Sequence, residues 1–347
     1  MMQNVPNYTV IIPNYNGLHF MENCMAALEK QSYTSFVVLI VDNGSTDGSK
    51  EYLEKLAGQD SPLEIRTILL DTNTGFSGAV NAGIAAADTE YVVLLNNDTE
   101  ADPDYLKELN AVFEKDHEKK LFAVSPMMIQ LYHRDLLDDA GDGYNLLGWA
   151  FQRGVGQPVK TAKFGRETSV FSACAGAAAY RKSVLEEIAF RDEENAYFDP
   201  LHFAYLEDLD VSFRARIRGY GIVYAPEAKV FHVGSGTSGS KYNPFKVRLA
   251  ARNNVYLNYK NMPLLMLLVN LPWILAGVLI KQIFFIRRGF GKEYASGFAE
   301  GLKTLGKCRP HKTPFRFAAL GNYLRTEWMM ITDLFSYIQD FLNRHLR

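Results

Sequence analysis

The sequence is poor in cysteine, and its three cysteines lie far apart. Cys24, Cys174 and Cys308 form no CxxC pair and no zinc-ligand spacing, which excludes a disulfide scaffold and a zinc ribbon. The chain also lacks the GxxxxGK[ST] pattern of phosphate-binding loops. Residues 1–7 carry no basic residue before the first apolar run, so we expect no secretory signal peptide there. With 48% hydrophobic and 22% charged residues, the chain is expected to fold.

Acidic and basic residues are distributed unevenly along the 347 residues. Residues 1–245 carry 21 Lys and Arg against 34 Asp and Glu, whereas residues 246–347 carry 16 against 5. The sequence therefore predicts an acidic globular part followed by a basic tail that meets an anionic partner. Because the basic residues flank a long apolar run, a membrane surface is the expected partner, and we expect no nucleic-acid binding.

That apolar run, residues 261–280, contains no charge and is just long enough to cross a bilayer. Pro272 and Gly277 weaken a simple span, and a single crossing would carry the basic residues of 281–347 to the far side, against the positive-inside rule. We predict a helix that lies in the membrane interface or re-enters it, and a buried core helix is the alternative. Further on, apolar residues at helical spacing form a stripe that could dock on the catalytic part or on lipid; they are Ile331, Leu334, Phe335, Ile338, Phe341 and Leu342.

The first hundred residues alternate short apolar runs with helix-like stretches, which predicts an α/β fold with a mainly parallel sheet between helices. The predicted strands are 8–12, 36–41, 65–70 and 91–95, and the helix-like stretches lie near 18–31, 47–58, 76–87 and 104–116. Polar residues follow each strand. Because ligands of open α/β sheets bind beyond the carboxyl ends of the strands, these residues predict one shared site.

Two of the polar segments are suited to a nucleotide. Asp42 closes a strand and could accept hydrogen bonds from a base or ribose, and Tyr15 could stack on a base. The alternative is that Asp42 and Asp47 only shape the turn and cap the next helix. Asn73 and Asn81 belong to a glycine-rich helix start whose backbone amides suit a phosphate.

Three further positions suggest metal and acid–base chemistry. The triplet Asn96-Asn97-Asp98 ends a buried strand and is a candidate for a divalent ion that bridges to phosphates. His232 opens a glycine- and hydroxyl-rich loop and could bind metal or phosphate. The segment 203–210 holds three carboxylates among aromatic residues. Asp210 can pair with Arg214 one turn on.

That pairing leaves Asp208 as the free carboxylate of the segment, with a pKa raised by its apolar surroundings and a role as general base. Glu207 could pair with a basic side chain or accept a hydrogen bond from substrate. The alternative for the whole segment is a helix start at which acidic residues favour the dipole.

With these residues in place, the sequence resembles the family 2 inverting glycosyltransferases of GT-A fold, and is most similar to rhamnosyltransferase-like members that build bacterial surface polysaccharides. The resemblance covers about residues 8–255. The segments that carry it are TVIIPNYNG (9–17), VDNGSTDGS (41–49), NTGFSGAVNAGI (73–84), VVLLNNDTE (92–100), SACAGAAAYRKSV (172–184), FAYLEDLDVSFRARIRGY (203–220) and VFHVGSGTS (230–238).

The resemblance implies a role for each matching residue. Asp208 would be the catalytic base with Glu207 beside it, and Asp98 and His232 would hold Mg²⁺ or Mn²⁺ at the diphosphate. The positions that would bind the nucleotide sugar are Pro13, Tyr15, Asp42, Asn73, Asn81, Asn96 and Asn97. The chain departs from the family's DxD triplet at Asn96, an amide that binds metal more weakly than a carboxylate, which makes metal dependence uncertain.

The resemblance also sets the expected organisation and activity. Residues 1–255 would form the catalytic domain, and residues 256–347 a helical region at the cytoplasmic face of the membrane, either peripheral or re-entrant. The enzyme would move one sugar from a dTDP-rhamnose-like donor or a UDP-sugar to a lipid-linked or polysaccharide hydroxyl. No QxxRW motif follows Glu207-Asp208, so we expect single transfers. A polyprenyl-phosphate sugar synthase and an inactive nucleotide- or lipid-binding scaffold are the alternatives.

Overall fold

The computed structural model of the chain describes residues 7–58, 61–190, 195–234 and 242–345. Residues 343–345 are described by their backbone alone. Within these ranges ten strands form one mixed sheet and two form a separate hairpin. The strands are β1 (Tyr8–Asn14), β2 (Phe36–Asn43), β3 (Ile65–Leu70), β4 (Tyr91–Leu94), β5 (Thr99–Ala101), β6 (Leu121–Gln130), β7 (His133–Asp139), β8 (Asp142–Tyr144), β9 (Ala150–Gln152), β10 (Thr168–Ser169), β11 (Ala179–Arg181) and β12 (Gly221–His232).

The half of the sheet formed by β4, β1, β2 and β3 is parallel, as the alternating pattern predicts, whereas β11 pairs antiparallel with β4 and with β6. The order is β10-β12-β6-β11-β4-β1-β2-β3, with β5 added to β12 and β7 to β6. β1 pairs in parallel with β2 and with β4, and β2 pairs in parallel with β3. All eight residues of β2 are buried, which is typical of a parallel strand covered on both faces.

Ten α-helices among the described residues cover the sheet and extend beyond it. They are α1 (Leu18–Leu28), α2 (Ser49–Ala57), α3 (Gly75–Ala86), α4 (Tyr105–Glu114), α5 (Lys182–Ile188), α6 (Glu207–Ile217), α7 (Pro244–Asn261), α8 (Leu264–Arg287), α9 (Gly291–Thr304) and α10 (Leu320–His345). The helices predicted near 18–31, 47–58, 76–87 and 104–116 are thus confirmed with slightly different bounds. The helix start considered for the segment 203–210 is found at Glu207, where α6 begins.

The two faces of the sheet carry separate apolar cores. Ile11 and Val41 point into one core, whereas Val10 and Ile40 point into the other. This alternation follows from the two-residue period of a strand, and it fixes the register of β1 against β2. The rigid core therefore holds the strand ends, and the polar residues that follow them, in fixed positions.

The middle of the chain departs at two places from what its composition favours. The glycine-rich segment 141–156, whose composition is typical of a loop, contains the hairpin of β8 and β9. The run 170–180, whose apolar residues are typical of a strand, pairs in the main sheet only from Ala179 onward. Its residues 172–178 are serine, alanine, glycine and cysteine, which are small enough to let turns pass close under the end of β4.

The C-terminal helices pack directly on the catalytic part. α7 runs continuously across the predicted boundary between residues 255 and 256. α8 packs on the rest of the protein through a buried stripe that includes Asn270, Ile274 and Gly277. A Cβ atom at Gly277 would lie 2.1 Å from the carbonyl oxygen of Leu147, so only glycine allows this approach.

The rest of α8 is exposed, which decides against a buried core helix. The helix is long and apolar enough to cross a membrane, yet only 22% of its most apolar window is buried. In α10 the buried positions include Met330 and Asp333, whereas Phe335 of the predicted stripe is 67% exposed. The described C-terminal region therefore presents an apolar surface away from the sheet.

Candidate functional site

The polar residues that end β4, β1 and β2 meet through side-chain hydrogen bonds. The Asn97 amide donates to Asn14 Oδ1 over 2.7 Å, and the Asn14 amide donates to Asp42 Oδ1 over 2.8 Å. The second oxygen of Asp42 accepts from the backbone amide of Ser45 at 3.0 Å. These three strand ends therefore lie together at one edge of the sheet, and the shared ligand site stays a prediction.

Within this edge, Asp42 shapes the turn. Its side chain is fully buried, and both oxygens accept bonds from within the protein. The structure thus shows the alternative that the sequence left open, and a contact from Asp42 to a base or ribose stays a prediction. Tyr15, by contrast, is 39% exposed beside the half-buried Pro13, so its ring is available to stack on a base.

A second set of bonds links the end of β2 to the start of α3. The Asn43 amide donates to Asn73 Oδ1 at 3.1 Å, and the same oxygen accepts from the backbone amide of Gly75 at 2.8 Å. Asn43 Oδ1 accepts from the backbone amide of Thr74 at 2.9 Å. The exposed Asn73 therefore fixes the glycine-rich helix start that the sequence predicts to face a phosphate.

Asn81 is placed differently from the prediction. Its side chain is buried in α3, where its amide donates to the carbonyl of Phe198 at 2.7 Å and its oxygen accepts from the Phe198 amide at 2.8 Å. Because both polar atoms bond to one backbone residue, Asn81 acts in packing, and its contact with a nucleotide stays a prediction. A buried asparagine and a binding asparagine look alike in sequence.

The triplet that ends β4 sends its three side chains to different neighbours. Asn97 bonds to Asn14, and the Asn96 amide lies beside Gly176. Only Asp98 faces His232, with its Oδ1 3.3 Å from His232 Nε2. Of the triplet, the carboxylate alone is thus positioned as a ligand, and nucleotide-sugar contacts from Asn96 and Asn97 stay predictions.

His232 is held between two carboxylates. Its Nδ1 lies 2.7 Å from Asp138 Oδ2, while its Nε2 faces Asp98. Burial alone would lower the pKa of His232, but the hydrogen bonds and negative charges of Asp138 and Asp98 raise it to about 10. Residues 235–239 of the glycine-rich loop that follows lie outside the described residues.

These side chains fit a divalent cation. A carboxylate oxygen of Asp98, in the turn between β4 and β5, lies 3.3 Å from an imidazole nitrogen of His232 at the end of β12, and a second carboxylate fixes the histidine ring from behind. Mg²⁺ and Mn²⁺ need few protein ligands when a diphosphate supplies the others. Asp98 and His232 are therefore the residues that would hold the ion, with Asp138 as the support of His232.

Asp208 lies across one short segment from this triplet. Its Oδ2 accepts from the backbone amide of Ala175 at 3.3 Å, and the carbonyl of the next residue, Gly176, accepts from the backbone amide of Asn96 at 2.8 Å. Its Oδ1 accepts from the amide of Leu209 at 2.7 Å. The half-buried carboxylate of Asp208 and the backbone that follows β4 are thus hydrogen-bonded to two adjacent residues, Ala175 and Gly176.

Burial governs the ionisation of both acids at the start of α6. Burial raises the pKa of Asp208, although the backbone amides of Ala175 and Leu209 act in the opposite direction. Burial and the negative charge of Asp208 raise the pKa of Glu207 well above its usual range. Glu207 Oε2 has no hydrogen-bond partner among the described residues, so the basic partner considered for Glu207 is not found there. The predicted pair of Asp210 with Arg214 is confirmed at 3.1 Å.

A second acidic group lies close to Asp208. One oxygen each of Asp139 and Asp142 and the sulfur of Cys174 lie within 4.8 Å of one another. Burial and the charge of Asp138 raise the pKa of Asp139 to about 8, and burial raises the pKa of Asp142 well above its usual range. Both shifts include repulsion from Asp208, so these acids tend to be neutral when Asp208 is charged.

The comparison with known families agrees with this geometry. A family model, described as glycosyl transferase family 2, matches residues 9–189, which is more than half of the chain and contains the ends of β1, β2 and β4 with Asp98, but neither Asp208 nor His232. The chain belongs to glycosyl transferase family 2. The rhamnosyltransferase-like subgroup is not distinguished by this match.

Curated relatives of this family 2 chain share short segments with it. An uncharacterized glycosyltransferase of Nostoc sp. is 32% identical over 130 residues, which cover 38% of this chain and 37% of the relative. The amylovoran biosynthesis glycosyltransferase AmsB of Erwinia amylovora is 33% identical over 109 residues, which cover 31% and 36%. The chain thus spans about a third of the length of these relatives.

Solved structures share the GT-A fold. GalNAc-T7, crystallised with UDP, GalNAc and Mn²⁺, has a TM-score of 0.57 at 14% identity and covers 74% of this chain and 48% of that one. Residues 1–349 of TarS from S. aureus have a TM-score of 0.51 at 16% identity and cover 93% and 90%. At these identities the likeness shows the fold, and the predicted GT-A architecture with a C-terminal helical region is confirmed.

Sequence reasoning missed several residues of the family 2 site. Asn14 links three strand ends, Asp138 supports His232, and Asp139 and Asp142 stand near Asp208. Asn14 lies inside the PNYN segment, so its position after a strand was a usable signal. The acidic run 135–142 was visible too. Which of its side chains lies beside His232 and which lie near Asp208 is decided only when β7 pairs with β6.

Proposed function

We propose that this chain is an inverting glycosyltransferase that moves one sugar from a nucleotide-diphosphate sugar to an acceptor hydroxyl, with Asp208 as general base. The observation that carries the proposal is the shared segment Ala175–Gly176, which bonds to Asp208 on one side and to Asn96 of the metal triplet on the other. Both groups that the reaction needs thus border one small region.

The reaction follows from the chemistry of these groups. The acceptor hydroxyl gives its proton to Asp208 as its oxygen attacks the anomeric carbon, and the bond from that carbon to the diphosphate breaks. A raised pKa suits a base that must accept a proton near neutral pH. A divalent ion, when bound, would stabilise negative charge on the diphosphate, and Asp98 and His232 would hold it.

The donor and acceptor are proposed by class. One structural neighbour is TarS in complex with UDP-GlcNAc, and another is a mannosyltransferase with GDP-Man and Mn²⁺, each with a TM-score of 0.50. A nucleotide-diphosphate sugar, dTDP-rhamnose-like or a UDP-sugar, is therefore the expected donor, and a lipid-linked or polysaccharide hydroxyl the expected acceptor. Transfer of a single sugar agrees with the absence of QxxRW.

A membrane surface fits the exposed C-terminal helices. Leu268 and Leu279 on α8 are 56% and 65% exposed, and Trp328 on α10 is 65% exposed. Residues 246–347 carry the 16 basic residues noted above, which favour anionic lipid. Because α8 also packs along the catalytic part through Gly277, we infer that it lies in the interface at the cytoplasmic face.

Two measurements test the function. A thermal-shift panel of UDP-, GDP- and dTDP-sugars, with Mn²⁺, with Mg²⁺ and with EDTA, should stabilise the protein with one donor class. Asp208→Asn should then reduce transfer at least 1,000-fold, roughly the weight of a general base, and keep the thermal shift. Glu186→Gln on the exposed side of α5 is the matched control. No shift with any nucleotide sugar would contradict the transferase, and full turnover by Asp208→Asn would contradict the base.

A further inference from the structure

The backbone immediately before Glu207 and Asp208 adopts conformations that side chains other than glycine rarely take. Among the described residues, three of the six non-glycine residues with positive φ are Phe203 at 62°, Tyr205 at 70° and Leu206 at 67°. Phe203 also has ψ of −59° and forms a γ-turn, in which the Ala204 amide donates to the carbonyl of His202 at 2.7 Å. Such strain persists only where surrounding contacts hold it, and it concentrates at functional sites.

One fully buried side chain holds this segment from α7. The Asn253 amide donates to the carbonyl of His202 at 2.9 Å, of Ala204 at 2.9 Å and of Tyr205 at 2.8 Å. An amide nitrogen carries two hydrogens, so at least one of them is shared between two of the three carbonyls, and no donor capacity is left over. Asn253 thus replaces the partners that a helix or a strand would give these carbonyls.

The residue before Asn253 sets the orientation of its amide. Arg252 donates to Asn253 Oδ1 through Nε and Nη2, each at 3.0 Å, which directs the Asn253 nitrogen toward the segment. Arg252 Nη2 also donates to the carbonyl of Leu201 at 2.9 Å. Two neighbouring residues of α7 therefore grip the segment that leads into α6.

The opposite side of the segment rests on the glycine-rich start of α3. The Ser77 amide donates to the carbonyl of Phe203 at 3.2 Å. A Cβ at Gly75 would lie 2.4 Å from that carbonyl oxygen, and Gly75 has φ of 77°. The strained segment is thus clamped between α7 and the start of α3.

From this arrangement we infer that Asn253 is a positioning residue for sugar transfer, an inference that rests on the proposed function. Asn253 holds the segment 203–206 so that α6 begins at Glu207 and directs Asp208 toward the acceptor. Without its three bonds, the segment relaxes toward ordinary backbone angles and the first turn of α6 shifts. A small misplacement of a catalytic group slows the reaction by about 100-fold while substrate binding persists.

The test compares Asn253→Ala with Asn254→Ala, its neighbour on the same helix. The Asn254 amide donates to the carbonyl of Gly148 at 2.7 Å and contacts no part of the strained segment. We expect kcat to fall about 100-fold in Asn253→Ala, with the Kd of the nucleotide sugar within about twofold of the parent. Asn254→Ala should keep kcat within about threefold. Rates are divided by the number of nucleotide-binding sites per chain, so that a smaller fraction of folded protein does not lower the measured kcat.

Hydrogen exchange provides a readout that needs no turnover. Amides of residues 201–209 should exchange faster in Asn253→Ala than in Asn254→Ala, while those of α4, on another part of the sheet, stay unchanged. If Asn253→Ala fails to fold, Asn253→Ser replaces it, because serine keeps one hydrogen-bond donor. We expect the kcat of Asn253→Ser to lie below that of the parent, by less than the loss of about 100-fold expected for Asn253→Ala. A parent that transfers no sugar contradicts the proposed function, whereas unchanged exchange or an unchanged kcat in the Asn253 variants overturns the positioning role.

Discussion

The ammonium of Lys260, at the end of α7, lies 2.9 Å from Asp210 Oδ1 in α6, and neither side chain is exposed to solvent. Lys260 also pairs with Asp199, which is equally buried. Asp199, His202 and Asp210 form a cluster whose geometry could suit a metal ion. The ammonium contacts all three, so it supplies the cation that this cluster needs.

We predict that Lys260→Met lowers the free energy of unfolding by about 3–5 kcal/mol, because it leaves two buried carboxylates without their shared cation. Urea unfolding at pH 7 measures the change. The double variant with Asp199→Asn should recover part of the loss, since one of the uncompensated charges is then removed. Lys107→Met, which breaks an exposed pair with Asp104, should cost at most about 0.5 kcal/mol. Equal effects of Lys260→Met and Lys107→Met would contradict the prediction.

Asp139 makes stability depend on pH. Its pKa is raised to about 8 by burial and by the charge of Asp138, whereas an unfolded aspartate titrates near 3.8. Between these values the folded protein keeps a proton that the unfolded chain has lost. The contribution of Asp139 is therefore fully present below pH 3.8 and is lost as the pH rises toward 8.

Asp139→Asn should remove this dependence. We expect the variant to have a higher Tm than the parent at pH 8, with the difference shrinking as the pH falls toward 4, in differential scanning fluorimetry across that range. Asp135→Asn, at an exposed position of the same strand, should follow the parent at each pH. A difference that is constant with pH would show that Asp139 is not the titrating group.

Asp138 should tune the affinity for a divalent ion. Its bond to His232 Nδ1 fixes the ring so that Nε2 faces Asp98. We predict that Asp138→Asn weakens Mn²⁺ binding in the presence of a nucleoside diphosphate by about 10- to 100-fold. The electron paramagnetic resonance signal of free Mn²⁺ measures this binding without turnover. The same Asp135→Asn control should bind as the parent does, and unchanged affinity in Asp138→Asn would remove the supporting role.

Membrane binding should depend on the exposed face of α8. Leu268→Ser with Leu279→Ser should weaken binding to anionic vesicles by roughly tenfold per leucine, since each loses about 1.5 kcal/mol of apolar burial. Sedimentation with vesicles measures the bound fraction. Tyr132→Ser is the matched control, because Tyr132 is 72% exposed but lies on the catalytic part. If the control loses as much binding as the double variant, the contact is not specific to α8.

Sequence pattern predicted the architecture of residues 8–116 well, because β1, β2 and β4 are mainly apolar runs that are buried on both faces. It predicted less well where the chain is built from small residues. The segment 172–178 has little apolar bulk, and its turns follow from contacts with β4 and α6, such as the bond from Asn96 to Gly176. The hairpin β8–β9 was hidden in a glycine-rich stretch for the same reason.

Within the site, the types and order of the residues were readable, but their contacts were not. Asp98 and His232 were predicted to act together, and their side chains do face each other. Asn81 and Asp42 were expected to meet a nucleotide, yet their polar atoms bond to Phe198, Asn14 and Ser45. A side-chain amide or carboxylate can bond either within the protein or to a ligand. Its neighbours in the folded structure decide between these two roles.

Apolar periodicity and local motifs act over a few residues, so the α/β fold, the family and the polar edge at the strand ends are readable from the order of residues. Three further properties follow from folding alone: which carboxylates become neutral, which histidine nitrogen faces Asp98, and that Asn253 holds the segment before Asp208. Those properties depend on burial and on side chains more than 45 residues apart in the chain. Such distances are closed by packing, and no local pattern records them.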